Sequence, residues 1–259
     1  MRFQDMTGLN ETQLSELVAR VHHRTGGWTS RGRRHCLGQY RSVALVVFLL
    51  RENPTQTVAA AVFGISQATV SRRFEALRDV IAAVLDDMAP DPTEAARGCT
   101  VLVDGTLART WDWASRDDLY SGKHKDTGYN LQVATSLSGR LLAVGTPVPG
   151  ARHDAHAWHT SGLAATLDGM DGMDVLADLG YLGTGALTGT RKPPGEDLSP
   201  DRTAANKALA GIRAVVEHAI SHLKNWKILG GRCRAPLHKY NSIVRAVTAL
   251  HFYKFSASL

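Results

Sequence analysis

Two short apolar runs, Val101-Leu102-Val103 and Val175-Leu176-Ala177, each end in an aspartate, Asp104 and Asp178, with a glycine close behind. A strand made only of branched and small apolar residues belongs in a sheet covered on both faces, so such runs confine the chain to a layered α/β arrangement. The acid that ends such a strand stands where sheet meets solvent, a usual position for sites in open sheets. Taken singly, either aspartate reads equally well as a turn residue bonding its own backbone.

The surrounding pattern fills in the layers. Strand-length segments recur at CTVLVDGT (99–106), YNLQVATS (129–136), RLLAVGTPV (140–148) and MDVLADLGY (173–181), with a reversal at Ser138-Gly139 and a fifth strand expected near ALTGTRKPP. HDAHAWHTSGLAATL has helical spacing and falls between the third and fourth strands. Strands first and helices interleaved later predict a mixed five-stranded sheet flanked by helices. Ahead of it the chain is helical. LNETQLSELVARVHHR and CLGQYRSVALVVFLLRE read as two helices, and TQTVAAAVFGISQATVSRRFEALRDVI (55–81) reads as a helix-turn-helix with Gly64 in the turn and Ser66 as second N-cap. The second helix would turn Gln67, Thr69, Ser71 and Arg72 outward toward a major groove and set Arg72 and Arg73 on phosphates, while Val70, Phe74 and Leu77 pack inward. A plain helical hairpin has the same periodicity. The organisation expected is a helical domain at 1–85 with the helix-turn-helix able to bind DNA, a linker at 86–98 and an α/β domain at 99–259.

Charge divides along the same lines. Residues 1–80 hold 11 Lys and Arg against 6 acids, residues 81–190 hold 7 against 14, and residues 191–259 hold 12 against 4. Basic flanks suit a polyanion and an acidic centre suits hard divalent cations. The N-terminus lacks the basic start and apolar core of a secretory signal, and no apolar run reaches membrane-spanning length, so a cytoplasmic protein is expected. Cys36, Cys99 and Cys233 are odd in number and far apart, which favours reduced thiols over a disulfide frame.

A third acid lies in a helix. At about 100° per residue, Arg213, Glu217 and Lys224 fall within roughly a 40° arc, beside an apolar face of Leu209, Ile212, Val216, Ala219 and Leu223. Glu217 would then border the sheet and meet Asp104 and Asp178, although an exposed Arg213–Glu217 ion pair is the plainer alternative. Three converging carboxylates raise one another's pKa unless a positive charge is shared among them. A pair of Mg²⁺ (or Mn²⁺) ions resolves the conflict and suits in-line displacement at a phosphodiester. Arg213, Lys224, Lys227, Arg232 and Arg234 would hold the phosphate backbone around it. Lys123 and Lys125, in SGKHK just after the first acid, are further candidates for phosphate contact, and Trp111 and Trp113 could stack on a DNA end or simply pack in their loop. His218 and His222, one helical turn apart, invite a zinc reading. In the zinc-protease motif, however, the Glu directly follows the first His, whereas Glu217 precedes it.

These segments together, VDGT (103–106), YSGKHKDTGYNLQV (120–133), PGARHDAHAW (149–158), ADLGY (177–181), TRKPPG (190–195), NKALAGIRAVVEHAISHLKNWKIL (206–229) and IVRAVTAL (243–250), resemble IS5-group insertion-sequence transposases of the DDE superfamily endonuclease type. The most specific element is Arg213, Glu217 and Lys224 at the family's spacing around its third acid; Ala210 stands where a Tyr is frequent. The resemblance implies a ribonuclease-H-like fold, with Asp104, Asp178 and Glu217 as catalytic metal ligands for two ions. It also implies cutting at transposon ends and joining of the 3′-hydroxyls to target DNA. The implied partners are double-stranded DNA carrying terminal inverted repeats, target DNA, and a second copy of the chain in a DNA-bound dimer near the nucleoid. Asp154, in HDAHAW, is a further candidate ligand, but it precedes the fourth strand, at whose end this fold keeps its second acid. A DNA-binding regulator that has lost catalysis is the competing reading.

Overall fold

The structure is a computed structural model whose described residues are 3–27, 37–111, 115–167 and 174–256. In chain order the helices are α1 (Phe3–Thr7), α2 (Glu11–Thr25), α3 (Gln39–Glu52), α4 (Gln56–Phe63), α5 (Gln67–Val84), α6 (Pro92–Ala96), α7 (Asp154–Thr160) and α8 (Leu163–Leu167). The last three are α9 (Pro200–Lys224), α10 (Lys227–Gly230) and α11 (Tyr240–Ser256). The strands are β1 (Val101–Arg109), β2 (Tyr120–Ser121), β3 (Asp126–Ser136), β4 (Leu141–Val144), β5 (Val148–Pro149) and β6 (Val175–Leu176). The chain divides into two compact units, Met1–Ala89 with Lys224–Leu259, and Pro90–Leu223.

The helical unit forms where local signals are strongest. Asn10 caps α2 through a reciprocal box with Gln13, which satisfies donors that a helix start otherwise leaves unpaired. Residues Val43 to Leu50 of α3 are all buried, a continuous apolar run that makes this the central helix. The expected helix-turn-helix is present. Thr55 caps α4, Gly64 closes it at φ 68°, a left-handed value that a glycine adopts without Cβ strain, and Ser66 caps α5 by accepting from the Thr69 amide. Arg41 Nη2 donates to the Phe63 carbonyl at 2.9 Å and satisfies the end of α4.

The C-terminal segment corrects the expected domain boundary. Residues from Lys224 onward belong to the helical unit and not to the sheet unit. The reason lies in α11: Ile243, Val244, Val247, Leu250 and Tyr253 are buried, and this face packs on α5. Tyr253 Oη donates to the Gln13 carbonyl at 2.7 Å, and Gln13 Nε2 donates to the Lys254 carbonyl at 3.0 Å, tying α11 to α2. The expected linker is also structured, with a 3₁₀ turn at Asp86–Met88 and α6, whose Ala96 is fully buried in the sheet core.

In the sheet unit, β1 pairs antiparallel with β3 over its whole length, from Val101↔Ser136 to Arg109↔Gly128. β4 returns along β3 after the Ser138-Gly139 reversal. β6 joins the other edge of β1 in parallel, but only at Val101↔Val175 and Leu102↔Leu176. Two short strands, β2 and β5, also pair with β3, giving six among the described residues where five were expected. The segment expected as a fifth strand contributes one parallel bridge, Leu187 to Leu176. α7 and α8, read as one helix in the sequence, are separated at Ser161-Gly162. They cover the sheet with Trp158, Leu163 and Leu167, and the Trp158 ring meets Tyr181 edge-on at 6.3 Å. Cys99 is exposed and Cys233 buried, both with free thiols; Cys36 lies outside the described residues.

Candidate functional site

Asp104 is not at the end of β1 as the apolar run suggested; the strand continues for five residues. The antiparallel ladder to β3 carries it onward, whereas the parallel ladder to β6 stops at Leu102. Asp104 therefore stands just past the end of the parallel pair, where the sheet edge opens. Asp178 follows β6 on the same side and caps a 3₁₀ turn, its Oδ1 accepting from the Gly180 amide at 2.7 Å. α9 supplies the group that joins them: Arg213 Nη2 lies 3.6 Å from Asp104 Oδ2 and 3.8 Å from Asp178 Oδ2.

One guanidinium for two partly buried carboxylates leaves negative charge in excess. The Asp104 carboxyl is raised to about 6, chiefly by burial and also by the charges of Asp178 and Asp154, against the opposing pull of Arg213 and the Gly105 amide. Asp154 begins α7. Its Oδ1 accepts from Asn130 Nδ2 at 2.8 Å and its Oδ2 from Lys123 Nζ at 3.2 Å. Its carboxylate lies directly against Gly105, where a Cβ would stand 2.3 Å from Oδ1. Beside these residues opens a cavity of about 580 Å³ lined by Asp154, Asp178, Lys123, His124, Arg152 and His153 among others.

Glu217 is exposed, one helical turn beyond Arg213 on the edge of α9 that reaches the acids. Among the described residues no three His, Cys, Asp or Glu side chains are grouped so as to hold one metal ion. The structure thus brings together Asp104, Asp178 and Arg213, sets Asp154 beside them, and leaves Glu217 outside that cluster. The donor chemistry still fits a hard divalent cation: buried carboxylate oxygens, under-compensated charge and a raised carboxyl are what such an ion would relieve. His218 and His222 are exposed with rings 5.7 Å apart, and no third ligand joins them among the described residues. The apolar face expected for α9 is buried only from Val216 onward; Leu209 is half-buried and Ile212 exposed.

On α5, Gln67 and Arg72 are exposed, and Ser71 and Arg73 are half-buried. Thr69 corrects the expected outward set. It is 9% exposed, with its hydroxyl paired to Ser66 Oγ at 2.9 Å and accepting from Arg72 Nη2 at 3.3 Å, so it belongs to the cap. Lys224, Lys227, Arg232 and Arg234, grouped with the acids in the sequence reading, fall in the helical unit. There Lys227 pairs with Glu52, Arg234 Nη1 donates to the Asn53 carbonyl at 3.0 Å, and the Arg232 carbonyl accepts from Asn53 Nδ2 at 3.0 Å. Lys125 is exposed in the turn before β3 at φ 51°. Trp111 is half exposed, and Trp113 lies outside the described residues.

Sequence reasoning missed Asn130, Gln132 and Tyr181. Asn130 and Gln132 are 8% and 0% exposed and sit two apart on β3, so they share one face of the strand. The signal was present in YNLQVATS as two amides at a spacing of two.

Comparison with known proteins agrees with this layout. Residues 103–251 match the family model described as DDE superfamily endonuclease, and residues 36–87 match that described as the helix-turn-helix of DDE superfamily endonuclease. A protein of Streptomyces albus G described as a transposase for insertion sequence element IS112 is 31% identical over 229 residues, covering 86% of this chain and 83% of that protein. Another, from Microchaete diplosiphon and described as a transposase for insertion sequence element IS702, is 23% identical over 266 residues, covering 98% and 95%. No solved structure matches the chain.

Proposed function

The chain belongs to the DDE superfamily endonucleases, and from that premise we propose that it is an insertion-sequence transposase that cuts phosphodiester bonds at the element's ends and joins the 3′-hydroxyls to target DNA. The observation that carries this reading is the meeting of Asp104 and Asp178 at one guanidinium, Arg213, just past the end of the β1–β6 pair. Three antiparallel strands followed by a fourth that runs parallel to the first, with α7 and α8 between, support a ribonuclease-H-like catalytic fold. Within it Asp104 and Asp178 would hold Mg²⁺ or Mn²⁺, two ions in all; Glu217, exposed on α9 outside their cluster, is the third ligand of this reading on the family spacing around Arg213 alone. Such ions would supply activation of the attacking oxygen and charge stabilisation of the leaving one.

The protein's own groups do the rest. The backbone amides of Gly105 and Gly180 fix the inner oxygens of Asp104 and Asp178, so the outer oxygens face the site. Arg213 lies between them, and Lys123 stands at the cavity mouth, cations suited to the phosphates of a bound strand. In the helical unit, Gln67, Ser71, Arg72 and Arg73 on α5 would read and grip the duplex of the terminal repeats, and a DNA-bound dimer would bring two ends together. Among the described residues no helix is long and apolar enough to cross a membrane.

The deciding experiment is Mg²⁺-dependent nicking of a duplex carrying the element's end. Asp104→Asn, Asp178→Asn and Glu217→Gln should each lower nicking by about 10³-fold and spare binding. Cutting retained in Glu217→Gln removes that residue from the triad. Binding by the wild type with no cut in Mg²⁺ or Mn²⁺ replaces the transposase with a regulator.

A further inference from the structure

Gln132 is fully buried in the middle of β3, opposite Gly105. An amide there costs stability unless each polar atom is paired, and a leucine would fill the same space without that demand. Its partners form a chain. Gln132 Oε1 accepts from Tyr181 Oη at 2.6 Å, and Gln132 Nε2 donates to Asn130 Oδ1 at 2.9 Å. Asn130 Nδ2 donates to Asp154 Oδ1 at 2.8 Å and, more weakly, to the Arg152 carbonyl at 3.4 Å; Asp154 Oδ2 accepts from Lys123 Nζ.

The direction of this chain follows from charge. An ionised Asp154 can only accept, so Asn130 must present its nitrogen to it and its oxygen to Gln132. Gln132 must then turn its own oxygen to the Tyr181 hydroxyl. Tyr181 is three residues after Asp178, and its ring is locked in the core against Trp158. The chain therefore links the Asp178 turn, the middle of β3 beside Asp104, and the start of α7. It ends at a charged pair on the cavity and not in the core. A Cβ on Gly180 would stand 2.8 Å from Asp178 Oδ1 and 3.2 Å from Asp154 Oδ2, so these two carboxylates flank one turn.

We propose that Tyr181, Gln132 and Asn130 are positioning residues whose buried hydrogen-bond chain fixes the Asp154 carboxylate and, through it, sets the Lys123 ammonium beside Asp104 and Asp178 to take a backbone phosphate of the bound strand. The place of Asp104 and Asp178 in this statement rests on the nuclease reading above. The Lys123 side chain is 61% exposed while that of Asp154 is 11% exposed, so the pair has a fixed, buried end and an accessible cationic end. His124, Arg152 and His153 line the same cavity, which makes its rim suited to an anion.

Two measurements on the full chain test this. Acylation of Lys123 by an amine-reactive reagent, read by mass spectrometry in chelator, should rise about threefold in Asp154→Asn and in Asn130→Ala relative to the neighbouring Lys125. Adding the end duplex should suppress it in the wild type. Unchanged labelling in both variants, or no protection by DNA, overturns the proposal. The second measurement is a nicking cycle at saturating DNA. Tyr181→Phe, which keeps the ring packing, and Asp154→Asn should each slow the cut about tenfold, and the double variant should be no slower than Asp154→Asn alone. Slowing that multiplies to about 100-fold means that Tyr181 does not act through Asp154. Should the wild type bind and never nick, the nuclease reading falls, and the labelling still decides the positioning of Lys123.

Discussion

The helix-turn-helix of α4 and α5 and the acid edge of the sheet are both rich in polar side chains, but they satisfy them in opposite ways. In the first, Ser66, Thr69 and Arg72 bond within three residues of one another, and the motif is closed by its own caps. In the second, Tyr181 reaches Gln132, Asn130 reaches Asp154, and Arg213 reaches Asp104, each pair separated by at least 24 residues of chain. Local satisfaction makes a module that can form early and tolerate change. Long-range satisfaction concentrates charge that the rest of the fold must hold in place, which is how sites with a job to do are built.

The sharpest way to break this contrast is at the acids. Asp178→Asn or Asp104→Asn should lower nicking by about 10³-fold while end binding through α5 stays within twofold of wild type, measured on the same duplex. Loss of binding in step with nicking would mean that the two regions are not functionally separable.

Gly105→Ala tests the crowding at the site. Its Cβ would meet Asp154 Oδ1 at 2.3 Å and Gln132 Nε2 at 2.8 Å, so either the carboxylate or the amide must move. The expected cost is about 1–3 kcal/mol of stability and about 100-fold in nicking, read by thermal melting and by the rate of the folded fraction. A variant as active as wild type would show that Asp154 need not lie against β1.

Asp104 also predicts a pH signature in chelator. Its folded-state carboxyl titrates near 6, above its unfolded value of about 3.9, because burial favours the neutral form. The native state thus binds this proton more tightly. Stability attributable to the group is present below about pH 4 and is lost as pH rises through 6, by about 3 kcal/mol, with no further change above. Asp104→Asn should lack this loss, melting higher than wild type at pH 8 and alongside it near pH 4. A variant that melts lower at pH 8 would indicate that pairing with Arg213 outweighs burial.

The smallest expected effects lie in the local module. Ser66→Ala should destabilise the helical unit by about 1 kcal/mol without changing nicking per bound molecule. Arg72→Ala should weaken binding and reduce the salt slope by about 0.9. An unchanged slope removes Arg72 from the phosphate contacts.

Particular elements show how much of this could be read from the chain alone. The caps at Asn10, Thr55 and Ser66, the Gly64 turn, the Ser138-Gly139 reversal and strands β1, β3 and β4 follow from signals within a few residues of where they act. Thr69 misled because helical periodicity assigns a side, whereas its hydroxyl was taken by the cap next to it. α11 misled because an amphipathic helix does not state which unit will cover its face.

What the sequence by itself determined is the class of each segment, the presence of a helix-turn-helix, and the identity of the acids at the ends of two apolar runs, since propensity, capping and periodicity are local properties. Only the tertiary structure decided that Asp104 sits mid-strand where its parallel neighbour stops, that Arg213 joins it to Asp178, that Asp154 and not Glu217 lies against them, and that the last helix packs on the first domain. The physical reason is that a charge or an apolar face in a chain has many possible partners, and burial selects among them only once distant segments have come together.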